Sequence, residues 1–346
     1  MSQPVSPGGT DQGVSPSMIL DLITGKWRAQ AVCVAAELGL ADLLKDGPLS
    51  SEEIAGIAHV SADAVYRLLR ALASVGLFSS LPEQRFALTP LGAYLRSDVS
   101  GSLRDFARFA GHEISWQPWG QLADSVRTGT PAFEHLFGMQ AFDYCAQHPD
   151  VAAIVNAAMT AATTTSAAAI GGAYDFSQIG TLIDVGGGHG LLLASILKTA
   201  AEMRGILFEL PYVVEGARDL LRREGVAERC AAIAGDFFDA VPEGGDAYIL
   251  KGVIHDWDDE RASHILRNCH RAMRPQAKLL LVEGVITPGD EPDVQKFVDL
   301  EMLVLTPYGK ERTEAEFKDL YSKSGFRLLR VVPTLSPLSI IEGVRV

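Results

Sequence analysis

The chain of 346 residues is short of positive charge. It has 30 Lys and Arg against 43 Asp and Glu, which leaves a formal net charge of −13 at pH 7. A surface that binds nucleic acid needs clustered Lys and Arg to neutralise phosphates. The charge balance therefore argues against a nucleic-acid partner.

Cysteine is scarce as well. The four cysteines lie far apart and form no C-x-x-C pair. This usage is typical of reduced, mostly buried thiols, so we expect a cytoplasmic protein.

Long hydrophobic runs are missing from the beginning of the chain. Residues 1–17 are rich in Gly, Ser and Pro, which predicts a disordered tail rather than a signal peptide or an anchor. The most apolar later stretch, residues 151–174, carries Asn156 and four threonines. It is too polar to span a bilayer, so we expect no membrane partner.

Residues 18–100 predict a small helix-rich domain. Met18 to Leu44 has the apolar spacing of a helix, and a helix from Ala62 to Ser74 precedes two short strands around Pro82. Thr89-Pro90 then predicts the start of a further helix. Helix, turn, helix and a small β-wing make a winged helix.

A winged helix commonly binds DNA, but the charges here favour dimerisation. The candidate recognition helix offers only Arg67 and Arg70 as cations. Residues 18–100 hold seven Lys and Arg and nine Asp and Glu, a net charge of 7 − 9 = −2. A ligand-sensing DNA regulator remains the less favoured alternative.

Residues 101–170 predict a helical linker rich in aromatic side chains. Most aromatics at helical spacing belong to a core. We expect some to line an apolar pocket for a flat acceptor, and the candidates are Phe109, Trp116 and Phe142.

Residues 171–346 alternate strand and helix, the pattern of an α/β domain with a doubly wound parallel sheet. Five strands are expected, at 181–186, 205–210, 230–235, 246–251 and 277–286. Two further strands close the chain, and residues 333–337 between them are too few for a crossover helix. The last strand should therefore be antiparallel, as in class I methyltransferases that use S-adenosylmethionine (SAM).

The first strand of this sheet runs into the glycine-rich turn 186–190, and the second ends in Glu209. Glycine lets the backbone turn tightly and approach a ligand, and an acid one βαβ unit later can bind a ribose. A dinucleotide fold would require G-x-G-x-x-G, but Leu191 stands where the third glycine would be. The pattern favours a nucleoside cofactor without phosphates, such as SAM.

Three later strand ends add candidate chemistry, because ligands bind beyond the carboxyl ends of parallel strands. Asp236 and Phe237 could hydrogen-bond an adenine amino group and stack on its ring. His255 is placed to act as a general base, and Glu283 on the next strand could orient its imidazole. The acidic run 258–260 is interpreted as the start of a helix, so no metal site is predicted.

Together these residues resemble a known family, the small-molecule O-methyltransferases related to plant caffeic acid methyltransferase and its bacterial antibiotic-pathway relatives. The resemblance covers residues 18–346 and rests on D-V-G-G-G-H-G at 184–190, F-E-L-P at 208–211, G-D-F-F at 235–238, L-K-G-V-I-H-D-W at 250–257, L-V-E-G-V-I at 281–286 and G-K-E-R-T at 309–313.

The resemblance implies a SAM-dependent O-methyltransferase whose winged-helix domain forms a homodimer and which requires no metal. Its product would be S-adenosylhomocysteine, and its acceptor a small aromatic metabolite of antibiotic or other secondary metabolism. The residues that would hold SAM are Gly186, Glu209, Asp236, Phe237, Lys251 and Thr163.

The resemblance also assigns roles around the acceptor. His255 would be the base, with Glu283 and Glu311 on either side of it. The positions that would lie near the acceptor are Asn156, Met159, Met302 and Asp256. The replacement of the family's usual Thr by His189 carries no expected catalytic role.

A different reaction on the same scaffold remains open. Related proteins carry out N- or C-methylation, or SAM-dependent decarboxylation or hydroxylation, and His255 excludes none of these.

Overall fold

A computed structural model describes residues 15–346, which form two compact units, one up to Ser97 and the other from Asp98 onward. The predicted tail falls mostly on residues 1–14, outside the described residues. Its last positions belong to the first helix, which begins at Pro16 after the N-cap Ser15. Proline suits this position because the amide hydrogen it lacks would have no helical partner.

Within residues 15–97, the first unit contains four α-helices and a three-stranded antiparallel sheet of order β1-β3-β2. Its elements are α1 (Pro16–Glu37), α2 (Leu40–Leu43), β1 (Leu49–Ser50), α3 (Ser51–Ala58), α4 (Ala62–Ala73), β2 (Phe78–Leu81) and β3 (Arg85–Leu88).

Two predictions for this unit need correction. The helix expected from Met18 to Leu44 is interrupted because Gly39 adopts a left-handed φ of 63°, which separates α1 from α2. The helix expected after Thr89-Pro90 is a single 3-10 turn, Gly92–Leu95. Gly92 sits so close to the carbonyl of Leu77 that a side chain there would overlap it.

In the second unit, six helices precede the main sheet. They are α5 (Arg104–Gly111), α6 (Glu113–Gly120), α7 (Leu122–Thr128), α8 (Ala132–Phe137), α9 (Ala141–Gln147) and α10 (Pro149–Ala173). The expectation that this stretch is too polar to span a bilayer needs correction, since in the described part of the chain α10 is the one helix long and apolar enough to cross a membrane by length and composition. It packs against α5, α9 and α11.

The rest of the second unit forms the predicted sheet and its covering helices. The elements are β4 (Thr181–Val185), α11 (Leu191–Thr199), β5 (Arg204–Glu209), α12 (Pro211–Arg223), β6 (Cys230–Ala234), β7 (Ala247–Lys251), α13 (Asp259–Ala272), β8 (Lys278–Glu283), α14 (Gln295–Leu305), α15 (Glu314–Lys323), β9 (Phe326–Pro333) and β10 (Ser339–Arg345).

The sheet has the order β6-β5-β4-β7-β8-β10-β9. Its first five strands are parallel, and β10 runs antiparallel to both β8 and β9, which confirms the prediction of a reversed last strand. The strand order reverses between β4 and β7. In an open α/β sheet, such a point marks the crevice where ligands bind.

Alternate residues of the central strands enter two separate cores. Leu182 and Ile249 pack on one face with α10, α11 and α12. Ile183 and Tyr248 pack on the other face with α13 and α15. The central strands are therefore covered on both sides, as expected for a parallel sheet.

We predict that Ile249→Ala lowers the free energy of unfolding of the second unit by about 2–5 kcal/mol, because Ile249 is fully buried and truncation leaves a cavity. Ile233→Ala, on the edge strand β6 where the side chain is 40% exposed, is the matched control. It should cost less than about 1 kcal/mol. Urea unfolding followed by circular dichroism measures both, and equal losses would contradict this account of the core.

Candidate functional site

The predicted site residues gather at the carboxyl ends of the parallel strands. Gly186 follows β4, Glu209 ends β5, Lys251 ends β7 and Glu283 ends β8. The register of the pairs places these ends along one edge of the sheet. Asp236 comes two residues after β6 on the same edge.

The turn after β4 requires glycine, because neighbouring side chains leave no room for a Cβ at its first position. Gly186 has a left-handed φ of 67°, and its amide donates to the carbonyl oxygen of Phe208 at 2.8 Å. A Cβ added to Gly186 would lie 2.8 Å from Cγ2 of Val253 and 3.5 Å from Cε1 of Phe237. The glycine turn and the ring of Phe237, both predicted to contact an adenosine, are therefore direct neighbours.

Two carboxylates beside this turn are oriented by backbone amides. Leu210 N–H donates to Oε2 of Glu209 at 2.7 Å, and Phe238 N–H donates to Oδ1 of Asp236 at 2.8 Å. Burial raises the pKa of Glu209 to about 7, and the charge of Asp236 acts in the same direction. Hydroxyl donors of a bound sugar would favour the charged form of this acid and so lower its pKa.

A further buried acid, Asp184, packs against Gly187 of the same turn. Neither oxygen of Asp184 has a hydrogen-bond partner among the described residues. Burial raises its pKa to about 7, although the charge of Lys251 opposes this shift. Burial in turn lowers the pKa of Lys251, against the attraction of Glu283 and Asp184.

His255 lies on the 3-10 turn Ile254–Asp256 that follows β7, and it is surrounded by carboxylates. Its Nδ1 is 2.7 Å from Oε1 of Glu311 and 4.0 Å from Oε2 of Glu283. Its Nε2 is 3.7 Å from Oδ1 of Asp256. The structure thus brings together the predicted base and both predicted acids.

Glu283 also supports the turn itself. Its Oε1 accepts the amide hydrogens of Val253 at 3.1 Å and Ile254 at 2.8 Å. Glu311 is fixed from another direction, since its amide donates to Oδ1 of Asp299 on α14 at 2.9 Å. Both acids are almost fully buried.

These surroundings change the proton affinity of His255. Burial alone would lower its pKa, but the carboxylates of Asp256, Glu283 and Glu311 outweigh burial and raise it to about 10. Burial raises the pKa of Glu283 to about 7, even with the imidazole beside it. The three carboxylates therefore favour the protonated form of His255.

On the acceptor side, α10 and α14 carry the remaining predicted positions. Asn156 is partly buried, Met159 is exposed and Met302 is buried. The hydroxyl of Thr163 donates to the carbonyl of Met159 within α10, so its hydrogen is already engaged.

The three predicted pocket aromatics occupy different surroundings. Phe142 stacks on Trp257, with ring centroids 5.8 Å apart, and so lies beside the His255 turn. Phe109 packs into a cluster with Ile114 and Phe133 instead. Trp116 remains about one-third exposed on α6.

Three features of the site carry no role predicted from the sequence: Asp299, Trp257 and a contact of His189. Nδ1 of His189 lies 3.3 Å from the hydroxyl oxygen of Thr160, which links the glycine turn to α10. Burial lowers the pKa of His189.

Between residues 15 and 346, no group of three or more His, Cys, Asp or Glu side chains is arranged so that it could hold a metal ion.

Comparison with known proteins identifies similar chains. Residues 119–327 match the family described as O-methyltransferase domain, and residues 20–98 match that described as O-methyltransferase dimerisation domain. Phenazine O-methyltransferase PhzM of Lysobacter antibioticus is 46% identical over 94% of this chain and 95% of its own. The mitomycin biosynthesis 6-O-methyltransferase of Streptomyces lavendulae is 38% identical over 98% and 97%.

Solved structures give the same result. The crystal structure of LaPhzM has a TM-score of 0.92 and 45% identity, and the match covers 95% of this chain and 99% of that one. NcsB1, an O-methyltransferase from neocarzinostatin biosynthesis solved with SAM and 2-hydroxy-5-methyl naphthoic acid, has a TM-score of 0.78 and 32% identity, with 92% and 96% covered. Among the relatives found by sequence, the phenazine-1-carboxylate N-methyltransferase of Pseudomonas aeruginosa is 32% identical over 91% of this chain and 92% of its own.

The carboxylates around His255 predict a pH-dependent stability. A folded-state pKa of about 10 exceeds the ordinary value of 6.5, so protonation favours the folded protein. This contribution is complete below the ordinary pKa and is lost as pH rises through the folded one. We expect the melting temperature of the wild type to fall more steeply between pH 7 and pH 10 than that of His255→Gln.

The measurement is thermal unfolding across this pH range. His135→Gln, at an exposed position on α8, is the matched control and should keep the wild-type slope. Parallel curves for wild type and His255→Gln would show that the three carboxylates do not favour the imidazolium.

Proposed function

The chain belongs to the O-methyltransferase family that pairs a dimerisation domain with a methyltransferase domain, and from this premise we propose that it methylates a phenolic hydroxyl of a small aromatic metabolite, with His255 as the general base. The observation that carries the proposal is the 2.7 Å contact between Nδ1 of His255 and Glu311. An imidazole whose Nδ1–H is held by a carboxylate presents Nε2 as its basic atom.

The glycine turn fits a SAM adenosine, because Gly186 packs closely beside Phe237 while a Cβ at Gly188 would meet no atom within 4 Å. Glu209 would accept the ribose hydroxyls, and Asp236 with Phe237 would bind the adenine. Lys251 and Thr163 would lie toward the remainder of the cofactor. When bound, SAM supplies an electrophilic methyl group and a sulfonium charge that favours both neutral imidazole and phenolate.

The raised pKa of His255 matches the base to its proposed substrate. A phenol resembling Tyr has a pKa near 10, so full proton transfer to an ordinary histidine would be uphill by roughly 5 kcal/mol. With the pKa of His255 at about 10, this difference disappears. This gain is opposed by the cost of deprotonating His255 before the reaction. At pH 7 the neutral imidazole is the minor form, and forming it costs roughly 4 kcal/mol.

The acceptor is proposed from the site and from the named relatives. Phe142 and Trp257 form a stacked pair beside the His255 turn, which suits a flat ring. Several relatives are named for antibiotic or phenazine pathways, so we place the reaction in secondary metabolism. One relative is an N-methyltransferase, so a ring nitrogen is the second candidate acceptor.

The assembly and location follow as parts of the same proposal. Several apolar side chains of α1 are exposed, Leu22 by 77% and Trp27 by 68%. Together with the matched dimerisation domain, this face supports a homodimer through the first unit. The four cysteines are all free thiols, which supports a reducing, cytoplasmic location.

We predict that S-adenosylhomocysteine binds saturably in a calorimetric titration, with a micromolar Kd, whereas NADH gives no heat. The reason is that the turn at Gly186 accommodates an adenosine but lacks the third glycine of a dinucleotide site. Absence of heat with S-adenosylhomocysteine, in protein shown to be folded, would overturn the cofactor assignment.

We further predict that His255→Ala lowers kcat by at least about a hundredfold, the low end for loss of a general base. Affinity for S-adenosylhomocysteine should stay near that of the wild type. Mass spectrometry of the product counts the methyl groups added to a panel of phenols and phenazines, and fragmentation locates them on oxygen or nitrogen. Near-normal turnover in His255→Ala would remove His255 as the base.

A further inference from the structure

Arg312 has no solvent exposure at all. Arginine is almost never fully buried unless its charge and donors are satisfied. The proposed reaction uses its neighbour Glu311 but gives no task to Arg312. Its partners therefore indicate why a charge is kept in this place.

Those partners lie on both sides of His255. Nη1 of Arg312 donates to the carbonyl of Ile254 at 3.0 Å, and Nη2 donates to the carbonyl of Trp257 at 2.7 Å. The guanidinium also binds Oδ1 of Asp259 through Nε at 3.1 Å and Nη2 at 2.9 Å. One side chain thus joins both ends of the His255 turn to the first turn of α13.

The segment before Arg312 lies against the same turn. Lys310 N–H donates to the carbonyl of His255 at 2.8 Å. A Cβ at Gly309 would lie 2.7 Å from that same carbonyl oxygen. Segment 309–312 therefore follows the His255 turn closely, and Glu311 within it reaches Nδ1.

We propose that Arg312 is a positioning residue for the reaction, which locks the His255 turn against segment 309–312 so that the imidazole and Glu311 meet. This inference rests on the proposed function, in which His255 is the base. A planar guanidinium can donate to two carbonyls and a carboxylate at once. A lysine amine is a point donor and cannot reproduce that geometry.

The test compares Arg312→Lys with Arg229→Lys. Arg229 is the control because its guanidinium likewise donates to several backbone carbonyls, those of Leu197, Ala200 and Met203, near the amino ends of β5 and β6. The direct readout is the titration of His255 by NMR in protein carrying labelled histidine, without cofactor. The resonance is assigned from its absence in His255→Gln.

In Arg312→Lys we expect His255 to titrate at lower pH than in the wild type, because its contact with Glu311 is lost. We also expect kcat/KM to fall by about tenfold to a hundredfold, with the Kd of S-adenosylhomocysteine within about twofold of wild type. Arg229→Lys should lower the melting temperature but leave the titration of His255 unchanged.

Two results would overturn the inference. One is an unchanged His255 titration in folded Arg312→Lys, and the other is an equal shift in Arg229→Lys. If Arg312→Lys does not fold, Asp259→Asn replaces it, since Asp259 is 43% exposed and anchors the guanidinium. That variant should shift the titration in the same direction by a smaller amount, and no shift would again reject the role.

Failure of the proposed function would look different. If His255→Ala kept near-normal turnover, His255 would not be the base, and the proposed function would fall. The NMR comparison would still decide whether Arg312 positions the imidazole, because it follows the proton on His255 without any reaction.

Discussion

The candidate site depends on the burial of Glu283 at the end of β8. A carboxylate with 1% exposure is costly unless it is fully engaged. Here Oε1 accepts the amides of Val253 and Ile254, and Oε2 faces the imidazole of His255. Glu283 therefore holds the turn through two backbone amides and, together with Asp256 and Glu311, favours the charged form of the histidine.

The same edge of the sheet carries an excess of buried negative charge. Asp184, Glu209 and Glu283 all have pKa values raised by burial to about 7. Lys251 provides a buried opposing charge. Acids that are this costly to ionise gain from a cationic ligand, which is what a sulfonium cofactor provides. The buried acids favour a cation and the glycine turn favours an adenosine, so two independent features indicate a sulfonium nucleoside cofactor.

Much of this arrangement could be predicted from the sequence because it follows from periodic signals. Parallel strands show as short apolar runs, and their carboxyl ends place Gly186, His255 and Glu283 on one edge. Glu283 was recognisable as an acid within an apolar strand. The contact of Glu311 with His255 came from family resemblance, since nothing periodic relates residues 56 positions apart. Periodic signals also mislead in one place, because the single left-handed residue Gly39 divides a helix that the apolar spacing predicted to be continuous.

The contacts that sequence reasoning missed share one property. Asp299 and Arg312 act on backbone atoms, Asp299 on the amide of Glu311 and Arg312 on carbonyls beside His255. Backbone groups carry no sequence signal, so such a bond is invisible until the chain path is known. The donor residue itself can still be recognised in the sequence, since Arg312 stands beside Glu311 in a segment that also contains Gly309. A charged residue next to a predicted catalytic acid is therefore worth examining as a support for the acid, even where no ligand is expected to touch it.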